Sequence, residues 1–157
     1  MTFSQQPKMS GWREWLALPA LNISAIEAKV DTGTRTSVLH VSLIEPFRKQ
    51  GALWVRFCIQ PLPEREDIRI VGVAPISGRQ LLKDFEGHDE NCFMIKTDLS
   101  LGNLCKEIEL TLSTQDSEKF RMVLGRTALQ EFNLTIDPRR SYLLGGEEPP
   151  ATVSCPP

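Results

Sequence analysis

The chain has 157 residues, enough for one domain and too few for two of ordinary size. Hydrophobic residues make up 41% and charged residues 24%, a globular composition that excludes collagenous and low-complexity classes. Eighteen basic residues against twenty acidic ones leave a formal charge of -2, without the broad basic footprint of direct nucleic-acid binding.

Residues 1–10 are polar and aperiodic and read as a loose lead-in. They contain no apolar core of a signal peptide. The longest apolar stretch, Ile68 to Ile76, is broken by Arg69, Gly72 and Pro75, so no membrane partner is expected. Cys58, Cys92, Cys105 and Cys155 form no CxxC pair, and reduced thiols in a cytoplasmic protein are the expectation.

Trp12, Glu14, Leu16 and Leu18 share one parity, as in a short strand before Pro19. Ile26, Ala28 and Val30 alternate with Glu27 and Lys29 in a half-buried strand that runs into Asp31-Thr32-Gly33. Ser37 to Ile44, Leu53 to Ile59 and Ile68 to Ala74 are rich in β-branched and aromatic residues and read as further strands. Residues 77–91 are polar and glycine-containing, which suits either a mobile flap or a long hairpin loop. Phe93 to Leu101 and the alternating Ile108, Leu110 and Leu112 flank a turn at Gly102-Asn103. Met122 to Leu124 is a short apolar strand, Thr127 to Phe132 the one convincing helix. Leu134 to Ile136 and Tyr142 to Leu144 are expected to close the sheet. A proline-rich tail follows at 146–157. The expected fold is all-β, a small closed barrel with one short C-terminal helix.

Asp-Thr-Gly alone is a weak signal, since all three residues favour turns. Its pairing with Phe120-Arg121-Met122-Val123-Leu124-Gly125-Arg126, an apolar strand ending in a Gly-Arg corner before a helix, is more specific. The pair resembles the retropepsin-like aspartic peptidases. The stretch Ala28 to His40, the Gly11-Trp12-Arg13-Glu14-Trp15 segment, Asp137-Pro138 and Ser141-Tyr142-Leu143-Leu144-Gly145 are similar to one bacterial subfamily of these. That subfamily is often labelled ATP-dependent zinc protease, and it accompanies an ATP-grasp ligase that adds glutamates to ribosomal protein S6. The resemblance covers residues 11–145, the expected retropepsin-like domain.

The residues do not support the zinc and ATP labels. There is no HExxH pair, His40 and His88 lie 48 positions apart, and no Walker loop occurs. No metal or cofactor is expected. The resemblance instead implies a water-activating carboxylate, Asp31, in a catalytic Asp31-Thr32-Gly33 loop. Two close carboxylates that share one proton can act as base and acid together. The chain holds one Asp-Thr-Gly, so that chemistry requires a second Asp31 from a twofold homodimer. The rival is a monomer in which Asp31 works with another group.

Two positions depart from the wider retropepsin pattern. Thr34 replaces a smaller residue, and Arg35 stands where many relatives carry an aspartate that pairs with the Gly-Arg arginine. Arg35 and Arg126 together would favour a carboxylate-rich ligand, unless each pairs with a structural acid such as Glu27 or Asp137. Thr34, Thr36, Arg35, Arg126 and His40 are the candidate substrate contacts, with a structural, hydrogen-bonded role as the alternative for His40. Ser37 and His40 make a poor nucleophile–base pair, because strand residues three apart face opposite sides. The activity implied is aspartic-type hydrolysis of peptide bonds in an acidic or glutamylated substrate such as ribosomal protein S6. A noncatalytic peptide-binding module of the same fold is the alternative.

Overall fold

The computed structural model describes residues 6–83, 86–115 and 119–148. The expected tail therefore lies outside the described residues from 149 onward, Cys155 included.

Period-two alternation shapes nearly every element. In β2 (Arg13–Leu18) the buried residues are Glu14, Leu16 and Leu18, and each pairs across to β3 (Ile23–Val30) in an antiparallel ladder with one irregularity between Leu16 and Leu18. A 3-10 turn at Pro19–Leu21 joins them, closed by Asn22 at φ 60. β4 (Ser37–His40) follows the Asp-Thr-Gly loop. β9 (Asp89–Leu101) and β10 (Leu104–Ser113) form a long hairpin about Gly102-Asn103, as the turn signal predicts.

With β11 at Met122–Leu124, the strand order is β10-β4-β11-β3-β2-β9, and the β9–β10 pairing returns to the start, closing a six-strand barrel. β11 leads into α1 (Arg126–Glu131), the single α-helix among the described residues. Leu18, Ile23, Ile26, Leu39, Ile95, Leu110 and Met122 fill the interior. Each such side chain contributes about 1.5–3 kcal/mol by leaving water.

Outside the barrel, β5 (Leu43–Lys49), β6 (Ala52–Ile59) and β7 (Ile70–Pro75) make a separate three-stranded sheet. It buries Val55, Phe57, Ile59 and Ala74. Gly72 is required opposite Phe57, because a Cβ there would lie 2.5 Å from the Phe57 ring.

Four expectations change. Residues 8–10 are not a loose lead-in: β1 (Lys8–Ser10) pairs in parallel with β12 (Leu134–Ile136), and Ser10 is buried. The apolar run from Ser37 to Ile44 is two strands, because the chain leaves the barrel at Val41-Ser42 to start the outer sheet. The segment 77–91, expected as a flap or a long hairpin loop, holds strand residues: β8 (Gly78–Lys83) pairs antiparallel with the start of β9. Tyr142 to Leu144 is not a strand. Tyr142 has φ 59, and the amides of Leu143 and Leu144 bond to a side chain instead of a ladder.

Candidate active site

β3 delivers Asp31 to the end of the barrel, where its amide donates to the Leu124 carbonyl at 3.0 Å. β11 lies between β3 and β4, parallel to the first and antiparallel to the second. The loop joining β3 to β4 must therefore arch over the end of β11. Asp31 sits at the start of that arch, partly exposed, while Thr32 and Gly33 are exposed.

The carboxylate is held from its own loop. Oδ1 accepts the Gly33 amide at 2.9 Å and Oδ2 accepts the Thr34 hydroxyl at 2.8 Å. The Thr34 hydroxyl, foremost, holds the Asp31 pKa below the usual carboxylate value; burial opposes this, and the Gly33 amide and Lys29 charge assist. Asp31 is thus ionised at neutral pH and keeps lone pairs for a further donor.

The Gly-Arg corner supports the arch from below. The Gly125 amide donates to the Ser37 hydroxyl at 2.9 Å, and a Cβ on Gly125 would lie 2.7 Å from the Thr36 backbone. Only glycine fits that approach. The Arg126 amide donates to the Thr34 carbonyl at 2.7 Å, and its guanidinium donates to the Thr32 carbonyl at 3.0 Å. Thr127 donates to the Arg35 carbonyl through both its amide and its hydroxyl. Arg126 is therefore bonded to the backbone of the Asp-Thr-Gly loop. The two structural acids considered for these arginines have other partners: Glu27 takes Arg13 and Tyr142, and Asp137 takes Arg139.

Arg35 points elsewhere. With Thr36, Arg79, Gln80 and Lys96 it lines a cavity of about 410 Å³ between the β8–β9 hairpin, β10 and α1. Glu107, Glu109 and Glu131 line it too, so three cations face three carboxylates. The hairpin is tied to the loop by Gln80, whose Oε1 accepts from Thr36 at 2.9 Å and Thr111 at 2.7 Å.

His40 sits at the far end of β4, roughly 10 Å along the strand from Ser37. Its Nδ1 lies 3.2 Å from the Gln115 carbonyl, and it lines a different cavity with Gln60 and Arg121. Burial lowers its pKa, so it is neutral at pH 7. The buried Cys92 thiol bonds to Glu90; burial first, then that carboxylate, push its pKa up to about 12, which makes it a poor nucleophile. Among the described residues no group of three His, Cys, Asp or Glu side chains converges as a metal site. None of their helices is long and apolar enough to cross a membrane.

Sequence reasoning passed over Glu14. Fully buried, it accepts the amides of Gly11 at 2.6 Å, Leu143 at 2.9 Å and Leu144 at 3.1 Å, binding the start of the domain to its end. Its signal was a carboxylate on the apolar parity of β2.

A family model described as retropepsin-like aspartic endopeptidase RimB matches residues 9–147, the stretch that contains the arch, β11 and the Gly-Arg corner. The chain belongs to this RimB-like family. Similar curated proteins include one from Desulfotalea psychrophila, 41% identical over 140 residues, and one from Shewanella pealeana, 38% identical over 135. Both are named probable alpha-L-glutamate ligase. They align with 88% and 86% of this chain, but the matched stretch is only 30% and 29% of their own length. A crystal structure of a Legionella pneumophila protein of unknown function shares the fold at a TM-score of 0.73 and 21% identity, covering 86% of this chain and 96% of that one. The family description is that of an aspartic endopeptidase, and the zinc-protease label has no counterpart in it.

Proposed function

We propose that the chain is an aspartic peptidase half-site that trims glutamate-rich tails, and that a twofold partner completes it with a second Asp31. The observation carrying this reading is Asp31 itself, a carboxylate kept ionised by its own loop yet open to the surface of the barrel end. An ionised Asp31 supplies the base that takes a proton from water. Peptide hydrolysis also needs an acid for the carbonyl oxygen and then for the leaving amine. A second Asp31 nearby supplies it, because like charges disfavour double ionisation and one proton is retained between the two.

The substrate reading rests on Arg35 beside the cavity and on the relatives, whose names point to glutamate addition. An enzyme removing glutamates would act on the product of such a ligase, and ribosomal protein S6 is the tail-bearing substrate this reading favours. The cavity's balanced charges confine the preference to local contacts, Arg35 foremost, instead of a general positive field.

The test is incubation of the purified protein with an oligoglutamyl peptide, followed by mass spectrometry. Stepwise or internal shortening, lost in Asp31→Asn, is the expected result. Binding without shortening would leave a peptide-binding module. Sedimentation equilibrium should show a dimer under the assay conditions. A chelator should change neither cleavage nor melting temperature; a loss restored by zinc would overturn the metal-free mechanism.

A further inference from the structure

Gln80 ties the β8–β9 hairpin to the loop after Asp31 with only one end of its side-chain amide. Its Oε1 accepts the hydroxyls of Thr36 and Thr111. The chemistry of those two partners decides which end of the amide is oxygen. Thr36 and Thr111 are buried, 9% and 0% exposed, and neither hydroxyl makes another hydrogen bond among the described residues. Each hydroxyl proton therefore needs the acceptor that Gln80 brings. Turned over, the amide would offer its own protons to both hydroxyls and leave two buried O–H donors unmet.

The other end of the amide is then an NH2 group with two donors. It makes no hydrogen bond among the described residues, although Gln80 is half-buried. Gln80 stands opposite the buried Cys92 in the β8–β9 ladder and lines the cavity of about 410 Å³ beside the loop. The charged groups of that cavity have partners at hand: Lys96, for one, lies directly across from Glu109 in the β9–β10 ladder. The Gln80 NH2 has none, and an entering acceptor would complete it. A carboxylate offers about four lone-pair sites, enough for this NH2 and the Arg35 guanidinium together.

We infer that the Gln80 NH2 donates to a glutamate carboxylate of the bound peptide. Gln80 is then a specificity contact for the acidic tail, while its oxygen holds the hairpin to the loop. The inference rests on the glutamate reading above, but not on catalysis by Asp31.

The experiment is calorimetric titration of an oligoglutamyl peptide into Asp31→Asn protein, which leaves the peptide uncut, with a melting curve for each variant. Adding Gln80→Glu keeps an acceptor for both hydroxyls but puts a second oxygen in place of the NH2. Binding should fall by about tenfold or more, with the melting temperature nearly unchanged. Gln80→Met keeps the length and adds no charge. It should also weaken binding by about tenfold, and it should lower the melting temperature, because both hydroxyls lose their acceptor. Leu81→Glu places the same new charge one residue away on the outer side of β8, where Leu81 is 63% exposed, and should bind as the parent does. Full binding by either Gln80 variant overturns the inference alone. So does an equal loss in Leu81→Glu, since a general field and not a contact would then be at work. No binding by the parent overturns the glutamate reading, and the inference with it.

Discussion

Glu14 sits on β2 and Asp31 just past the end of the neighbouring β3, both held by short hydrogen bonds, and they have opposite fates. Glu14 is sealed from solvent and takes three backbone amides drawn from both ends of the domain. Asp31 takes one amide and one hydroxyl, both from within three residues, and remains partly exposed. A carboxylate offers about four lone-pair sites. One whose sites tie nearby backbone to a segment about 130 residues away is spent on holding the fold. One that is oriented locally and left part-empty can still meet water or substrate.

The sharpest way to break this contrast is to neutralise each group in turn. Asp31→Asn should lower peptide cleavage on the order of 10³-fold or more while barely moving the melting temperature. Peptide mass spectrometry and a melting curve on the same sample check both halves. Glu14→Gln should do the reverse. Its amide would set a donor against at least one buried N–H, at a cost of about 2–4 kcal/mol. For a domain of this size that is a fall of roughly 5–15 °C in melting temperature. A Glu14→Gln protein as stable as wild type would mean that the carboxylate does not join the two ends.

Smaller changes sharpen the Asp31 side. Arg35→Gln should lower catalytic efficiency on a glutamate-rich peptide by roughly 10- to 150-fold, and far less on a neutral peptide of equal length. Rising salt should erode the wild-type preference as well. Equal losses on both peptides would assign Arg35 a structural role. Thr34→Val keeps the shape and removes the main cause of the lowered Asp31 pKa. A depressed folded pKa adds stability above the unfolded value, and that stability is lost as pH falls through the folded value. The valine variant should therefore move the acid limb of the activity profile to higher pH, with little change in stability because solvent screens so exposed a group. An unmoved limb would show that Asp31 does not control it.

The strand into Asp-Thr-Gly, the β9–β10 hairpin and the strand–Gly-Arg–helix corner were legible because each is written locally, in alternation and turn chemistry. β1 was not, since three residues that pair only with β12 carry no local period. The exit from the barrel at Val41-Ser42 was hidden inside a continuous β-branched run that either sheet would accept. Tyr142 to Leu144 looked like a strand by composition, but its amides answer to Glu14. At the site, sequence separated the loop from its support correctly yet gave no means to see that Arg126 bonds to the loop backbone while Arg35 turns to the cavity. That division depends on where β11 threads.

The threading also sets a clock. Arg126 and the Thr32 carbonyl it braces stand 94 residues apart in the chain, and the Leu124 carbonyl that receives the Asp31 amide comes from the same late segment. Synthesis proceeds at about 5–20 residues per second, so the loop emerges about 5–20 s before its braces exist. During that interval β3 and β4 lack the strand that belongs between them, and the loop carrying Asp31 is not anchored to the barrel end. A nascent chain of this kind holds the loop before its braces, and the arch takes its final shape only when nearly the whole domain has left the ribosome.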